Sequence, residues 1–322
     1  MEEKIIKSKL ITKAEDLITS REETRASFIA MALEKNYIAV PYVEEAKTLK
    51  SLASKVKKPM KLLNVDDLRV GLLTASGLSE KALNYLTDDD RTIAIKGLIE
   101  EFLEPAGEKF IDELVYRYLL TKGDTLGGKA RNLAGSLGEK KFLRSLLSAF
   151  KLAGIEFQWL DSETKKWIPK SKNVEGIEKR IKAIHWTKKG KKRLLIMNIN
   201  VPIVKKNIDL VILNGSIDDL KKGEESIIYL NDKFLALGEL KGGIDPAGAD
   251  EHWKTANSAL NRIRTSFQKK KLNPHTFFIG AAIENSMATE IFDQINKGIL
   301  GNAANLTHDD QLTETCNWII NL

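Results

Sequence analysis

Asp209, Glu239 and Lys241 are the residues whose types and spacing point to a reaction. Asp209 lies in Ile208-Asp-Leu-Val-Ile-Leu213, an otherwise apolar run. Glu239-Leu-Lys241 ends a second run that begins Phe234-Leu-Ala-Leu237 and breaks at Gly242-Gly243. On a strand, residues two apart project to the same side, so Glu239 and Lys241 point together. Asp209 precedes Glu239 by 30 residues (239 − 209), room for a strand, a turn and a returning strand. Two carboxylates on neighbouring strands hold a hard divalent cation such as Mg²⁺. Such a cation acidifies a water and offsets charge growing on a phosphoryl group. A lysine beside it orients the water and adds to that electrostatic support. The layout is that of phosphodiester hydrolysis. The plainer alternative places Glu239 and Lys241 at a solvated strand end and Asp209 at an edge. The cost of burying an unpaired carboxylate in an apolar run weighs against it.

The next residues, Ile244-Asp-Pro-Ala-Gly-Ala-Asp-Glu-His-Trp253, crowd Asp245, Asp250, Glu251 and His252 behind the acid-x-lysine strand. In one reading Asp250 caps a helix and His252 is a surface residue. In the other, Asp245 accepts from a cytosine N4 amino group and His252 aids water activation. Lys206, three residues before Asp209, is placed to contact DNA beside the scissile bond. The other basic runs, at Lys165-Lys166, Lys188–Arg193 and Lys269–Lys271, read as solvated faces. Gly123-x-x-x-x-Gly128-Lys129 imitates the phosphate loop of nucleotide hydrolases. Residue 130 is Ala, however, so the hydroxyl that would hold Mg²⁺ is missing, and the preceding segment is helical. Read as a loop, it offers backbone amides, Lys129 and Arg131 to nucleic-acid phosphates.

The elements that must carry these residues fall into two parts. Up to about residue 120 the pattern is helical. Ser20-Arg-Glu-Glu23 is a capping box ahead of a face made by Ala26, Ile29, Ala30 and Leu33. Pro41 and Pro59 read as helix ends, Thr87-Asp-Asp-Asp90 as a cap, and Phe110–Leu120 as a further helix. From Gly123 on, strand-like segments appear at Ile155–Leu160, Ile181–Thr187, Arg193–Asn200, Ile208–Leu213, Ile227–Leu230, Phe234–Lys241 and Thr276–Ile283. Lys188–Lys192 reads as a hairpin tip. Trp253, Ala256, Leu260, Ile263 and Phe267 make a helical stripe. The expectation is an α+β protein: a helical domain over 1–120, and a mixed sheet flanked by helices over 121–322.

Composition sets the outer limits. With 322 residues, 43% of them hydrophobic, a large core is available. The formal charge of +7 and a pI near 9.1 permit a polyanionic partner without requiring one. The single cysteine, Cys316, excludes an intrachain disulfide and a cysteine-ligated zinc site. No signal-peptide pattern or membrane-length apolar run is visible, so a cytoplasmic protein with no membrane partner is expected.

Together, Lys205-Lys-Asn-Ile-Asp209, the block from Gly238 to Ala256 and Gly123-Asp-Thr-Leu-Gly-Gly128 resemble the AvaI/BsoBI family of type II restriction endonucleases. Glu113–Lys122 and the Arg25–Asn36 helix fit as well, and the likeness covers most of the chain. The resemblance implies a homodimer closing around double-stranded DNA, with a helical domain and a PD-(D/E)xK nuclease core in each subunit. It implies cleavage at CYCGRG with Mg²⁺, leaving 5′ overhangs, beside a methyltransferase of the same restriction-modification system. Carried onto this sequence, Asp209, Glu239 and the Leu240 backbone carbonyl are metal ligands. Lys241 is the catalytic lysine and His252 lies near the attacking water. Lys206 and Asp245 read bases, Lys81 does so from the helical domain, and Glu251 also contacts DNA. No proline precedes Asp209, so the motif's first letter is absent, although the chemistry needs only the carboxylate. A different nuclease of that superfamily and a non-catalytic DNA-binding protein are the alternatives.

Overall fold

The computed structural model describes residues 9–169 and 176–322, apart from the side chains of residues 130 and 131. The chain packs as two compact units. One comprises the chain up to Phe28 together with Ala134–Leu322, the other Ile29–Leu133.

The first unit is built on eight strands: β1 (Phe157–Asp161), β2 (Trp167–Pro169), β3 (Ile181–Lys188), β4 (Lys191–Val201), β5 (Lys206–Leu213), β6 (Phe234–Lys241), β7 (His275–Gly280) and β8 (Asn302–Asn305). They form one mixed sheet in the order β2-β1-β3-β4-β5-β6-β7-β8. Neighbours are antiparallel from β2 through β6, and β7 and β8 run parallel to β6. The change of direction follows from the connections. A tight turn at Lys189-Gly190, both at positive φ, joins β3 to β4 and favours a two-residue hairpin. From β6 to β7 the chain instead passes through α6 (Ala249–Gln268), as a parallel pair requires.

Strand alternation divides the core into two layers. Leu210, Ile212, Ala236 and Leu240 face the helical segment around Phe142–Phe150 of α5 (Phe110–Leu152) and the Cys316 face of α8 (Asp309–Asn321). Val211, Leu213 and Leu237 face the opposite way, toward α6 and α7 (Asn285–Asn296). Trp253, Ala256, Leu260, Ile263 and Phe267 are all buried, as their spacing predicts. The N-terminal segment joins this unit through hydrogen bonds, with Thr19 N–H donating to the Ile283 carbonyl and Asn305 Nδ2 to the Leu17 carbonyl.

The second unit is helical. It contains α1 (Arg21–Ala53) from Ile29 on, α2 (Arg69–Ala75), α3 (Glu80–Leu83), α4 (Asp88–Leu98) and the first half of α5. Its own core includes Leu49, Leu68, Leu72, Ile95, Leu98 and Leu114. The cap expected at Thr87 forms: Thr87 N–H donates to Asp90 Oδ2, and Asp90 N–H donates to Thr87 Oγ1. The Ser20–Glu23 box closes in the same reciprocal way.

Several expectations are corrected. Gly123–Ala130 is not a loop but part of the 43-residue helix α5, so the division expected at 120/121 falls inside a helix. Pro41 does not end α1, which continues through it to Ala53, six residues short of Pro59. Ile227–Leu230 forms a tight turn rather than a strand, with Ile227 buried in the sheet core. The face containing Ile29 and Leu33 is turned outward, those residues being 62% and 57% exposed.

Candidate active site

β5 and β6 bring the three chemical groups together because their register is antiparallel, with Leu210 opposite Gly238 and Val211 opposite Leu237. One further step places Asp209 opposite Glu239. By alternation Glu239 and Lys241 share the face of Leu237, the side covered by α6. Lys241 Nζ lies 2.7 Å from Glu239 Oε2 and 3.2 Å from Asp209 Oδ2, so one ammonium bridges two carboxylates. The Leu240 N–H also donates to Asp209 Oδ2, at 2.9 Å, and fixes that carboxylate against the neighbouring strand.

The electrostatics are those of a confined acid pair. Glu239 is buried, and burial first, then the negative charge of Asp209, push its carboxyl up to about 7, against the pull of Lys241. Burial alone would lower the Lys241 ammonium. The two carboxylates more than offset that, and its pKa rises. Two acids forced together in a low-dielectric site call for positive charge between them, and at present Lys241 supplies it. Among the described residues no group of three or more His, Cys, Asp and Glu side chains could hold a metal. The donors the site offers are the two carboxylates of Asp209 and Glu239. That set suits Mg²⁺, which keeps several waters and takes few protein ligands. Asp209 and Glu239 fit such an ion.

The end of β6 is shaped by close packing. A Cβ on Gly242 would lie 2.4 Å from the Ala134 carbonyl oxygen, and one on Gly138 2.7 Å from the Gly242 Cα. The α5 backbone therefore passes directly against the end of the acid-x-lysine strand. A Cβ on Gly243 would stand 2.3 Å from His252 Cε1, so the imidazole rests on that glycine's backbone. The Gly242-Gly243 pair already signals a close approach of backbone or ligand. The complementary residues, Ala134, Gly135 and Gly138, were not identified from sequence, although glycines three apart on a helix are the usable signal.

The other expected site residues are more dispersed. Asp245 is exposed, and its carboxylate accepts from Ala247 N–H at 3.0 Å, capping the turn before α6. Asp250 pairs with Lys254 at 2.5 Å in the first turn of α6, and Glu251 beside it is exposed. Lys206 is exposed at the start of β5. In the helical unit Lys81 is exposed on α3, and Lys129 Nζ donates to Tyr42 Oη at 2.6 Å. The Arg131 side chain lies outside the described residues.

The family model described as restriction endonuclease BsobI matches residues 7–322. The chain is 51% identical over 312 residues to the type II restriction enzyme AvaI of Nostoc sp., covering 97% of this chain and 98% of that protein. It is 52% identical over 315 residues to the type II restriction enzyme BsoBI of Geobacillus stearothermophilus, covering 97% of each. A match of this length and identity shows that the chain belongs to the BsoBI restriction endonuclease family.

Proposed function

We propose that this chain is a type II restriction endonuclease that cuts duplex DNA at CYCGRG with Mg²⁺, leaving 5′ overhangs. The type II assignment rests on its relatives. The observation supporting the chemistry is the convergence of Lys241 on both Asp209 and Glu239 at 3.2 and 2.7 Å. In this reading Asp209, Glu239 and the Leu240 carbonyl hold the cation in a PD-(D/E)xK core. Mg²⁺ bound there supplies positive charge to the phosphoryl oxygens and acidity to a water. Lys241 orients the nucleophile and steadies charge on the phosphoryl group. His252, carried at the start of α6, accepts the water's proton. Lys206, Asp245 and Glu251 contact DNA on the sheet unit, and Lys81, Lys129 and Arg131 do so from the helical unit.

A palindromic target is the natural counterpart of a twofold homodimer. Ile29, Leu33, Tyr37 and Val40 recur along one stripe of α1 and are 52–73% exposed. That is apolar surface of a kind a second copy would cover. The helical unit then embraces the duplex while the sheet unit cuts it. No helix among the described residues is long and apolar enough to cross a membrane. We place the enzyme in the cytoplasm, functionally paired with a methyltransferase that protects the same site.

Purified protein incubated with a sequenced plasmid and Mg²⁺ should give discrete fragments whose ends map to CYCGRG. A smear or structure-dependent products would instead identify another kind of nuclease. Glu239→Ala should still shift a site-containing duplex yet cut it at least about 100-fold more slowly, the scale of losing a transition-state electrostatic contact. Retained cleavage would remove Glu239 from the site.

A further inference from the structure

A cleft lies on the sheet unit, between the C-terminal halves of α6 and α7 and the segment leading into β7. Its volume is about 730 Å³, and its walls include Asn257, Asn261, Arg264, Asn273 and Gln294. Arg264 is half-buried, and its guanidinium donates to Thr276 Oγ1, a neutral partner, at 3.2 Å. Burial lowers its pKa, with no opposing carboxylate to offset the cost. Asp293, the acid on the same wall, is taken by Lys297 at 2.6 Å. Gln294 donates through Nε2 to Asn257 Oδ1, while its own Oε1 is buried without a donor. A half-desolvated cation facing only a neutral hydroxyl is a standing cost, which a complementary anion removes.

The catalytic pair does not share this cleft. Arg264 lies 12 residues (264 − 252) beyond His252 on α6, roughly 18 Å along the helix at about 1.5 Å per residue. Thr276 is the second residue of β7, whereas Lys241 is paired with Gly280 at the other end of the same strand.

We propose that the Arg264 cleft is a binding site for a small phosphate monoester bearing a hydrogen-bonding ring, that is, a mononucleotide. Arg264 takes the phosphate, because a guanidinium offers several donors in the geometry of an oxyanion. The cleft is much larger than a phosphate needs and falls in the range of small-molecule sites. Carboxamides from Asn257, Asn261, Gln268, Asn273 and Gln294 make up much of the rest, beside Ser258, Asp293 and Ile299. The carboxamides donate and accept side by side, and so match the edge of a purine, as Asn and Gln do with adenine N6 and N7.

The test is calorimetric titration of the full chain with dAMP in EDTA, repeated with inorganic phosphate. Saturable one-site binding of dAMP is expected, with phosphate alone binding more weakly and competing with it. Arg264→Met should weaken dAMP at least about 10-fold, as loss of a charged hydrogen bond predicts. Asn261→Glu is the variant that spares the fold, because residue 261 is exposed and lies one turn before Arg264. Its carboxylate would occupy the guanidinium and weaken dAMP in the same direction. Asp209→Asn should bind dAMP unchanged. The proposal is overturned by absence of dAMP binding at millimolar concentration, or by unchanged affinity in both cleft variants. It is equally overturned by loss of binding in Asp209→Asn, or by phosphate binding as tightly as dAMP.

Discussion

The chain has two glycine-rich stretches of similar appearance, Gly123-x-x-x-Gly127-Gly128 and Gly242-Gly243, and they occupy opposite surroundings. Gly123, Gly127 and Gly128 lie within α5, and a Cβ on any of them would meet nothing within 4 Å beyond the helix's own backbone. Gly242 and Gly243 end β6, where a Cβ would collide with the Ala134 carbonyl oxygen in one case and the His252 ring in the other. Composition alone makes both look like breaks in regular structure, and the first also imitates a phosphate loop. In the fold, the first is an unforced weakness in a helix, whereas the second is a packing requirement beside the candidate site. What separates them is the company each glycine keeps, which no local pattern displays.

Gly242→Ala tests the crowded side most severely. Its new methyl would face the backbone of α5, which has no side chain to swing away. A loss of about 1–3 kcal/mol in stability is expected, on the scale of overpacking, together with slower cleavage as the end of β6 shifts. Urea unfolding and fragment yield on plasmid DNA check this. Unchanged stability would mean that α5 does not pass against Gly242 as closely as 2.4 Å implies.

Much of the site was legible in the sequence because strand and helix periods are local. The stripe from Trp253 to Phe267, the hairpin at Lys188–Lys192, and Asp209 facing Glu239 and Lys241 all follow from residue order and alternation. The remaining features depend on distant packing. Asn302-Ala-Ala-Asn305 has poor strand propensity, yet forms β8 because Asn302 accepts from Thr315 Oγ1 and Asn305 ties to Leu17 and Thr19. Ile227 reads as strand but is buried as a turn beneath Gly215, where a Cβ would lie 2.1 Å from Ile227 Cδ1. Pro41 lacks a donor, which ordinarily costs about 3 kcal/mol in a helix interior, and α1 nonetheless runs through it for 33 residues. The DNA contact expected of Lys81 rests on resemblance alone, whereas those expected of Lys206 and Asp245 also follow from their closeness in sequence to Asp209 and Glu239.

Gly243→Ala sharpens the comparison at the same strand end, with a different partner. Its methyl would meet a side chain, the His252 imidazole, at 2.3 Å, and that ring can rotate away. Stability should therefore change by less than about 1 kcal/mol, unlike the backbone clash at Gly242. Cleavage should slow by about 10- to 100-fold if His252 must be held in place for the reaction. The deciding measurement is single-turnover cleavage of Gly243→Ala, His252→Ala and the double variant. A positioning role predicts that the double variant is no slower than His252→Ala alone. Additive losses would mean that Gly243 acts on something other than the imidazole.

Gly128→Ala addresses the open stretch and should produce the smallest change, with the opposite sign. A helical glycine pays a larger backbone entropy cost on folding than alanine, and the difference is roughly 0.5–1 kcal/mol. No neighbour within 4 Å obstructs the added methyl at residue 128. The variant should therefore be more stable by about that amount, read as a higher urea midpoint with an unchanged slope. Destabilisation would show that the helix does not persist through Gly123–Lys129, and would restore the loop that composition suggests. Since Gly128 and Gly242 differ in surroundings rather than in residue type, opposite signs from one substitution test the contrast more directly than either change alone.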